Sequence, residues 1–454
     1  MPGNLTLDEL KAAVAAGEID TVITAIVDMQ GRLMGKRFHA RFFLDHNVTE
    51  THGCEYLLAT DLEMTTVPGY AAASWQTGYG DYVHKPDFST LRRIPWQEKA
   101  AMVLCDVLDH HGEPVPHSPR AVLRRQIARA EAMGLAPMMA TELEFFLFRD
   151  SYTDLWDSGY RELVPNARYN IDYAITGSLR DEPVMRDLRN GLYGAGIPVE
   201  CSKGEADAGQ EEINILYSDA LDNADNHVIV KAAVKEIAQL HDRAATFMAK
   251  YRHGKAGSSS HVHQSLFGRD GKNAFYDKDA EHGMSKLMRS YVAGLLDHAQ
   301  ETTIFLAPHV NSYKRFCVGL FAPTRAVWST DNRTAAFRVC GAGTKAVRVE
   351  NRIGGSDLNP YLAQATQLAA GLDGIERGLE LGPEIGGDVY AAKDAPEVPK
   401  TLRDAADLLE GSTFLRKALG DGVVDHYVHN ARWEVEQFDY HVTDWEVQRG
   451  FERA

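Results

Sequence analysis

The stretch Thr141–Phe148, TELEFFLF, decides how the chain is read. As an extended strand it sends Glu142 and Glu144 to one face and continues that face with Phe146 and Phe148. An isolated E-x-E pair on a half-exposed strand most often just meets water, but a solvent face should stay polar, and this one turns from acid to apolar. Upstream, Ser118-Pro119 offers an N-cap with proline at the first helical position, and Leu123, Ile127 and Ala130 recur at helical spacing until Gly134. Helix followed by strand predicts a mixed α and β domain. Downstream, EEINILY, SSSHVHQSLF and KAVRVENRIG have strand composition, and Val230, Val234 and Ile237 mark a second helix. The first hundred residues differ. Short apolar runs such as TVITAIVDM and AAMVLCDVL alternate there with Gly, Asp and Pro, as in a small sheet-rich domain. The polar, proline-bearing segment DHHGEPVPHSPR places a boundary near residue 112, giving domains 1–112 and 113–454 and an α+β fold class.

Composition narrows the partners. A length of 454 residues favours two or more domains. The formal net charge of -16 opposes non-specific binding to nucleic acid or to anionic membranes. Five scattered cysteines with no C-x-x-C pair indicate neither a disulfide framework nor a zinc site and fit a reducing cytoplasm. The acidic N-terminal segment lacks the basic flank and apolar run of a signal peptide, and no apolar stretch reaches membrane-spanning length.

Four elements carry the chemistry. Besides Glu142 and Glu144, the segment ECSKGEADAGQEE holds Glu200, Glu205 and Glu212 around a Gly-containing turn. In SSSHVHQSLF, His261, His263, Ser265 and Phe267 share a strand face, and in RVENR so do Arg348, Glu350 and Arg352. Taken singly, each has a plain structural reading, such as a surface salt-bridge ladder worth little stability. Together they supply carboxylates, imidazoles and no thiolate, the ligand set of Mg²⁺ or Mn²⁺. Asn311–Arg338 adds the counterpart, with five cationic side chains against one anionic one. The guanidinium groups of Arg315, Arg333, Arg338, Arg348 and Arg352 match phosphoryl and carboxylate oxygens in bidentate geometry. Metal, arginines and acids together predict phosphoryl transfer. No P-loop or protein-kinase motif is present.

Six ordered motifs, TELEFFLF, EADAGQEE, SSSHVHQSL, NSYKR, DNRTAAFR and RVENR followed by NPYLA, with PDFSTLRRIPW in the first domain, resemble the glutamine synthetase family over nearly the whole chain. The resemblance implies an N-terminal β-grasp domain, a C-terminal glutamine-synthetase-type α/β catalytic domain, and a dodecamer of two hexameric rings with active sites between neighbouring subunits. It gives Glu144, Glu205 and Glu212 to a first Mg²⁺ or Mn²⁺, and Glu142, His261 and Glu350 to a second. ATP, as co-substrate, falls to Glu200, Tyr217, His263, Ser265, Arg338 and Arg348; glutamate falls to Gly257, Arg315 and Arg352. Arg333 meets the phosphoryl group in transit. The implied catalytic residues are Arg333, Glu205 and Arg315, and the implied reaction passes through γ-glutamyl phosphate. An inactive relative should have lost ligands, and this chain retains every one named.

Three departures give the reaction a direction. Where ammonium-using members carry a flap glutamate after SYKR, this chain reads GLFAP and places Phe321. Where they carry an aspartate in D-G-S-S, the counterpart is GCEYLLA, with Glu55 close by. An asparagine expected before Gly257 is Ala256. Ammonium has four N–H donors and no carbon, so its pocket needs carboxylates; an alkylamine brings methylenes that favour apolar walls. The expectation is therefore a γ-glutamylamide synthetase whose amine pocket holds Phe321 and Glu55 and whose amine is ethanolamine. The alternatives are a polyamine such as putrescine or spermidine, or ordinary ammonium-dependent glutamine synthesis. Tyr390, near the family's adenylylation loop but outside an N-L-Y-D-L pattern, reads as an exposed-loop tyrosine with no regulatory role.

Overall fold

The structure, a computed structural model, describes residues 3–454. Two sheets organise it. The first comprises β1 (Thr21–Val27), β2 (Leu33–His39), β3 (Thr51–Cys54), β4 (Asp81–Pro86), β5 (Arg92–Arg93) and β6 (Ala100–Leu108). Its order is β2-β1-β6-β4-β3, with β5 alongside β6. Only β1 and β6 run parallel; the other pairs are antiparallel. Nearly every side chain of β1 is buried, as its continuous apolar run TVITAIV requires.

The second sheet comprises β7 (Leu135–Phe148), β8 (Val199–Gly204), β9 (Gln210–Ile215), β10 (Ser218–Asp219), β11 (Ala244–Thr246), β12 (Val262–Gly268), β13 (Trp328–Thr330), β14 (Phe337–Cys340) and β15 (Arg348–Asn351). Its order is β13-β14-β15-β12-β7-β9-β8, with β10 and β11 also pairing with β7. The long strand β7 thus contains the opening stretch. Burial alternates along its first half and becomes continuous from Leu143. The change from acid to apolar has a physical cause: further along the same face, Phe146 and Phe148 pack with Leu155, Ala244 and Tyr251 in a separate small core.

The helix expected after Ser118 spans Pro119–Ala132, started by proline at its first turn rather than by a side-chain cap from Ser118. Gly134, just beyond it, takes φ +79°, where a Cβ would be strained. Val230, Val234 and Ile237 lie on the buried face of helix Ala220–Leu240. Helix Pro360–Arg377 is almost wholly buried, and four further helices, Leu402–Gly411, Thr413–Leu419, Asp421–Tyr440 and Asp444–Gly450, end the chain. One hydrophobic core crosses both sheets, joining Ile23, Met102 and Leu104 to Leu143, Val228 and Leu368. Buried Arg120 reinforces that junction by donating to Asp87 and Asp106 on one side and Asp225 on the other. Among the described residues no helix is long and apolar enough to cross a membrane.

Candidate active site

Strand register builds the site. Glu144 on β7 lies opposite Glu212 on β9, and the β8–β9 turn swings Glu205 toward them. Ligand atoms of these three carboxylates lie within 4.8 Å of one another. The Glu144 carboxylate accepts from the Ser259 N–H at 2.7 Å and from Gln210 Nε2 at 3.1 Å, and that of Glu212 accepts from Asn214 Nδ2 at 2.8 Å. Lys203 pairs with Glu205 and is, among the described residues, the one cation within salt-bridge reach of the trio. Burial first, then Glu205 and Glu212, push the Glu144 carboxyl well above the usual carboxylate range. Burial, with Glu142 and Glu205, pushes Glu212 up to about 8. Three acids facing one point without matching positive charge, all oxygen donors, fit a hard divalent cation.

A second group forms across four strands. His263 on β12 pairs in register with Glu350 on β15, Glu350 pairs with Arg338 on β14, and Glu142 stands beside them on β7. Glu142, His263 and Glu350 bring ligand atoms within 4.8 Å of one another. His261 Nδ1 lies 2.7 Å from Glu142 and 3.3 Å from Glu350, while its Nε2 is buried with no hydrogen-bond partner among the described residues. His263 Nε2 lies 2.9 Å from Glu142, and its Nδ1 accepts from Arg348 Nε at 3.2 Å. The resemblance gives His261 to the metal and His263 to the nucleotide; the structure sets both against Glu142, with His263 in the converging trio. Against the cost of burial, Arg352, His261 and His263 hold Glu350 down to about 2. Against the same cost, hydrogen bonds from the two histidines hold Glu142 well below its ordinary value. Cys340, one of the five scattered cysteines, has its Sγ 3.4 Å from Glu350, but burial pushes the thiol up to about 12, so it remains a neutral donor.

Beside this group a cavity of about 610 Å³ is lined by Glu142, Glu200, Tyr217, His263, Ser265 and Arg348. It therefore gathers five of the six residues expected at ATP. Arg338 is absent from the lining because its guanidinium is bound to Asp331 and Glu350. Lys345 and Asn273, which no motif singles out, also line the cavity; Asn273 Nδ2 donates to the carbonyls of Lys345 and Val347 and fixes that wall.

The glutamate side differs from the expected clamp. Arg315 is 2 % exposed and donates to Ser259 Oγ and to the carbonyls of Ile353 and Arg352, four bonds from its five N–H groups. It holds the loops in place and leaves little of the guanidinium for a ligand. A Cβ on Gly257 would stand 2.6 Å from Arg315 Cγ and 2.9 Å from the Ala249 carbonyl, so the close approach requires glycine. Arg352 donates to the Arg333 carbonyl at 3.1 Å and to Glu350. Arg333 is exposed, with no carboxylate among the described residues within 4 Å. Ala256, in place of the expected asparagine, packs against the small core and donates its N–H to Asp207.

Phe321 takes φ +57° and keeps 57 % of its surface exposed, beside exposed Val318 and Leu320. The next residue, Ala322, accepts a hydrogen bond at 3.1 Å from the Tyr390 hydroxyl. Tyr390 is thus half-buried and bonded to the flap, correcting its reading as a plain exposed-loop side chain. Glu55 opens the short turn after β3, with its carboxylate beside Gly80, on the other sheet from the acid clusters. Within one chain it is not brought to Phe321.

The catalytic-domain model of the glutamine synthetases matches residues 116–450. The chain belongs to the glutamine synthetase family of ligases. It is 50% identical over 450 residues to the γ-glutamylethanolamide synthetase of Streptomyces coelicolor, covering 99% of this chain and 96% of that one. It is 36% identical over 436 residues to a glutamate–isopropylamine ligase of a Pseudomonas species, covering 95% of each. The solved structure of ligand-free GmaS superposes with a TM-score of 0.84 at 28% identity, covering 98% of this chain and 99% of the other.

Proposed function

We propose that this protein joins the γ-carboxylate of glutamate to ethanolamine, using ATP, and so acts as a γ-glutamylethanolamide synthetase. The observation that carries the reading is Phe321, an exposed apolar ring on left-handed backbone where ammonium-using relatives are expected to place an acid. Half identity to a γ-glutamylethanolamide synthetase over almost the whole chain supports it.

In the first step the γ-carboxylate oxygen attacks the γ-phosphorus of ATP; a P–O bond forms, the bond to the bridging oxygen breaks, and ADP leaves. In the second the amine nitrogen attacks the carbonyl carbon of γ-glutamyl phosphate; a C–N bond forms, phosphate leaves, and the amine gives up a proton. Glu144, Glu205 and Glu212 would hold one divalent ion, and Glu142 and Glu350 with the His261/His263 pair a second. Bound there, Mg²⁺ or Mn²⁺ supplies neutralisation of phosphoryl charge. Arg333, exposed and with no carboxylate within 4 Å among the described residues, would follow the phosphoryl oxygens. Arg348 fixes His263 at the nucleotide cavity. Arg315 and Gly257 shape the glutamate loop. Phe321 and its flap exclude water and contact the methylenes of the amine. We propose further that the functional form is a dodecamer, in which Glu55 reaches the amine side of a neighbouring subunit.

The test is Phe321→Glu, read as kcat/KM for ethanolamine against ammonium. The ratio should fall at least tenfold, with the KM for ATP unchanged. An unaltered amine preference would remove Phe321 from the amine pocket.

A further inference from the structure

Behind the glutamate loops, a cavity of about 840 Å³ lies between the β1–β2 face of the first sheet and helix Ala220–Leu240. It is separate from the nucleotide cavity and larger. Ile23, Met34, Met102, Val228 and Phe247 give it apolar walls. Five cations, Arg32, Lys36, Arg37, Lys231 and Lys235, line it against two acids, Glu236 and Asp357. This is the opposite balance to a chain of net charge -16.

The pairing inside the cavity is lopsided. Arg32 is neutralised by Asp28 at 2.6 Å. The Glu236 carboxylate accepts from Trp96 Nε1 at 2.5 Å and Gln97 Nε2 at 2.8 Å, and that of Asp357 from Ser312 Oγ at 2.7 Å. Among the described residues, no carboxylate lies within 4 Å of Lys231, Lys235, Lys36 or Arg37. Lys231 reaches only the Leu358 carbonyl, at 3.3 Å, and its ammonium stands 5.4 Å from the centre of the Phe247 ring. Burial, with Lys235 next to it, pushes the Lys231 amine down to about 8. His309 Nδ1 and Asp357 Oδ1, on the same wall, are buried without partners among the described residues. Lys36, Arg37 and Lys235 are exposed and Lys231 is half-buried, so their unpaired cationic groups are open to an arriving anion.

We propose that this cavity binds an amphipathic organic anion, an apolar body carrying a single carboxylate or phosphate, and that its occupancy changes the affinity for glutamate. The anionic head sits at Lys231 and Lys235, and the body covers Ile23, Met102 and Phe247. Coupling runs through one short turn. Asp357 lines the cavity and accepts from Ser312, which opens the turn Ser312–Arg315 that carries Arg315. Asn311, also in the lining, binds the Lys250 backbone at both its N–H and its carbonyl, and Lys250 follows Ala249, whose carbonyl borders Gly257.

The probes are 4-phenylbutyrate, phenyl phosphate, the neutral 4-phenylbutanol and inorganic phosphate, titrated calorimetrically into the full-length protein with Mg²⁺, ADP and glutamate saturating. At least one aryl anion is expected to bind tenfold or more tighter than both the alcohol and inorganic phosphate. The two aryl anions tell a carboxylate site from a phosphate site. Lys231→Met and Lys235→Met, which remove unpaired charge and should fold, are each expected to weaken that anion about tenfold with the circular dichroism spectrum and assembly size unchanged. By reciprocity, the bound anion should shift the dissociation constant of glutamate at least threefold in the parent protein and not in Lys231→Met. Equal binding of the alcohol, unchanged affinity in both variants, or an unmoved glutamate constant would each overturn the proposal. None of these readings involves the amine, so they stand or fall apart from the ethanolamine reading.

Discussion

Without a divalent ion, the trio Glu144, Glu205 and Glu212 should make the protein less stable as pH rises, and Glu212→Gln should remove much of that slope. The folded protein holds the Glu212 carboxyl at about 8, against an ordinary value of 4.5. Between those two values the folded state keeps a proton that the unfolded chain releases. Its contribution is therefore complete below pH 4.5 and is lost as pH climbs through 8. Each pH unit is worth about 1.4 kcal/mol, so from pH 6 to pH 8 the loss is on the order of 2–3 kcal/mol. Urea denaturation in a chelator, run at both pH values, reads this directly. Saturating Mg²⁺ should flatten the profile of the parent protein, because the cation replaces the proton as the compensating charge and favours the folded state at high pH. Superposable pH profiles for the parent and Glu212→Gln, or a slope that Mg²⁺ leaves untouched, would refute the reasoning.

Gly257→Ala should raise the KM for glutamate at least tenfold and that for ATP far less, since the new methyl meets Arg315 Cγ at 2.6 Å and the Ala249 carbonyl at 2.9 Å; steady-state kinetics in both substrates check the split. Tyr390→Phe removes the 3.1 Å bond to Ala322 and, at about 1 kcal/mol for such a bond, should lower kcat/KM for the amine about fivefold with the KM for ATP unmoved. His117 is buried and stacked on His426 with ring centres 4.1 Å apart, and burial holds its imidazole down to about 4. The unfolded chain takes up that proton as pH falls below 6.5, so on the order of 3 kcal/mol is lost between pH 6.5 and 4; denaturation midpoints of His117→Phe should fall less steeply across that window.

Much of the site was legible because strand alternation is legible. Glu142 and Glu144, His261 and His263, and Arg348 and Glu350 stand at period two, so spacing gives each pair a common face, while the two ligand groups they form follow from the family resemblance and the strand order. Sequence did not show which donors are already engaged. Arg315 reads as a substrate clamp, yet its guanidinium holds Ser259, Ile353 and Arg352, contacts set by loops distant in sequence. Arg338 is likewise committed to Asp331 and Glu350. The two histidines, indistinguishable by spacing, meet the same carboxylate. The final helices are legible in the same way, since LRDAADLLEG carries Leu402, Ala405, Ala406 and Leu409 at helical spacing and all four are buried. The cationic cavity was invisible for another reason: Lys36 and Arg37 on β2 meet Lys231 and Lys235 only through packing of the first sheet on helix Ala220–Leu240.

The central claim is that an organic amine, rather than ammonium, attacks γ-glutamyl phosphate. Phosphate release from the purified protein with ATP, Mg²⁺ and glutamate, comparing ammonium, ethanolamine, putrescine and spermidine as sole amine with product masses confirmed, tests it most directly. Ethanolamine should give rapid turnover and a γ-glutamylethanolamide mass, and ammonium little turnover. Turnover with ammonium alone would contradict it and leave Phe321 as a packing feature of the flap.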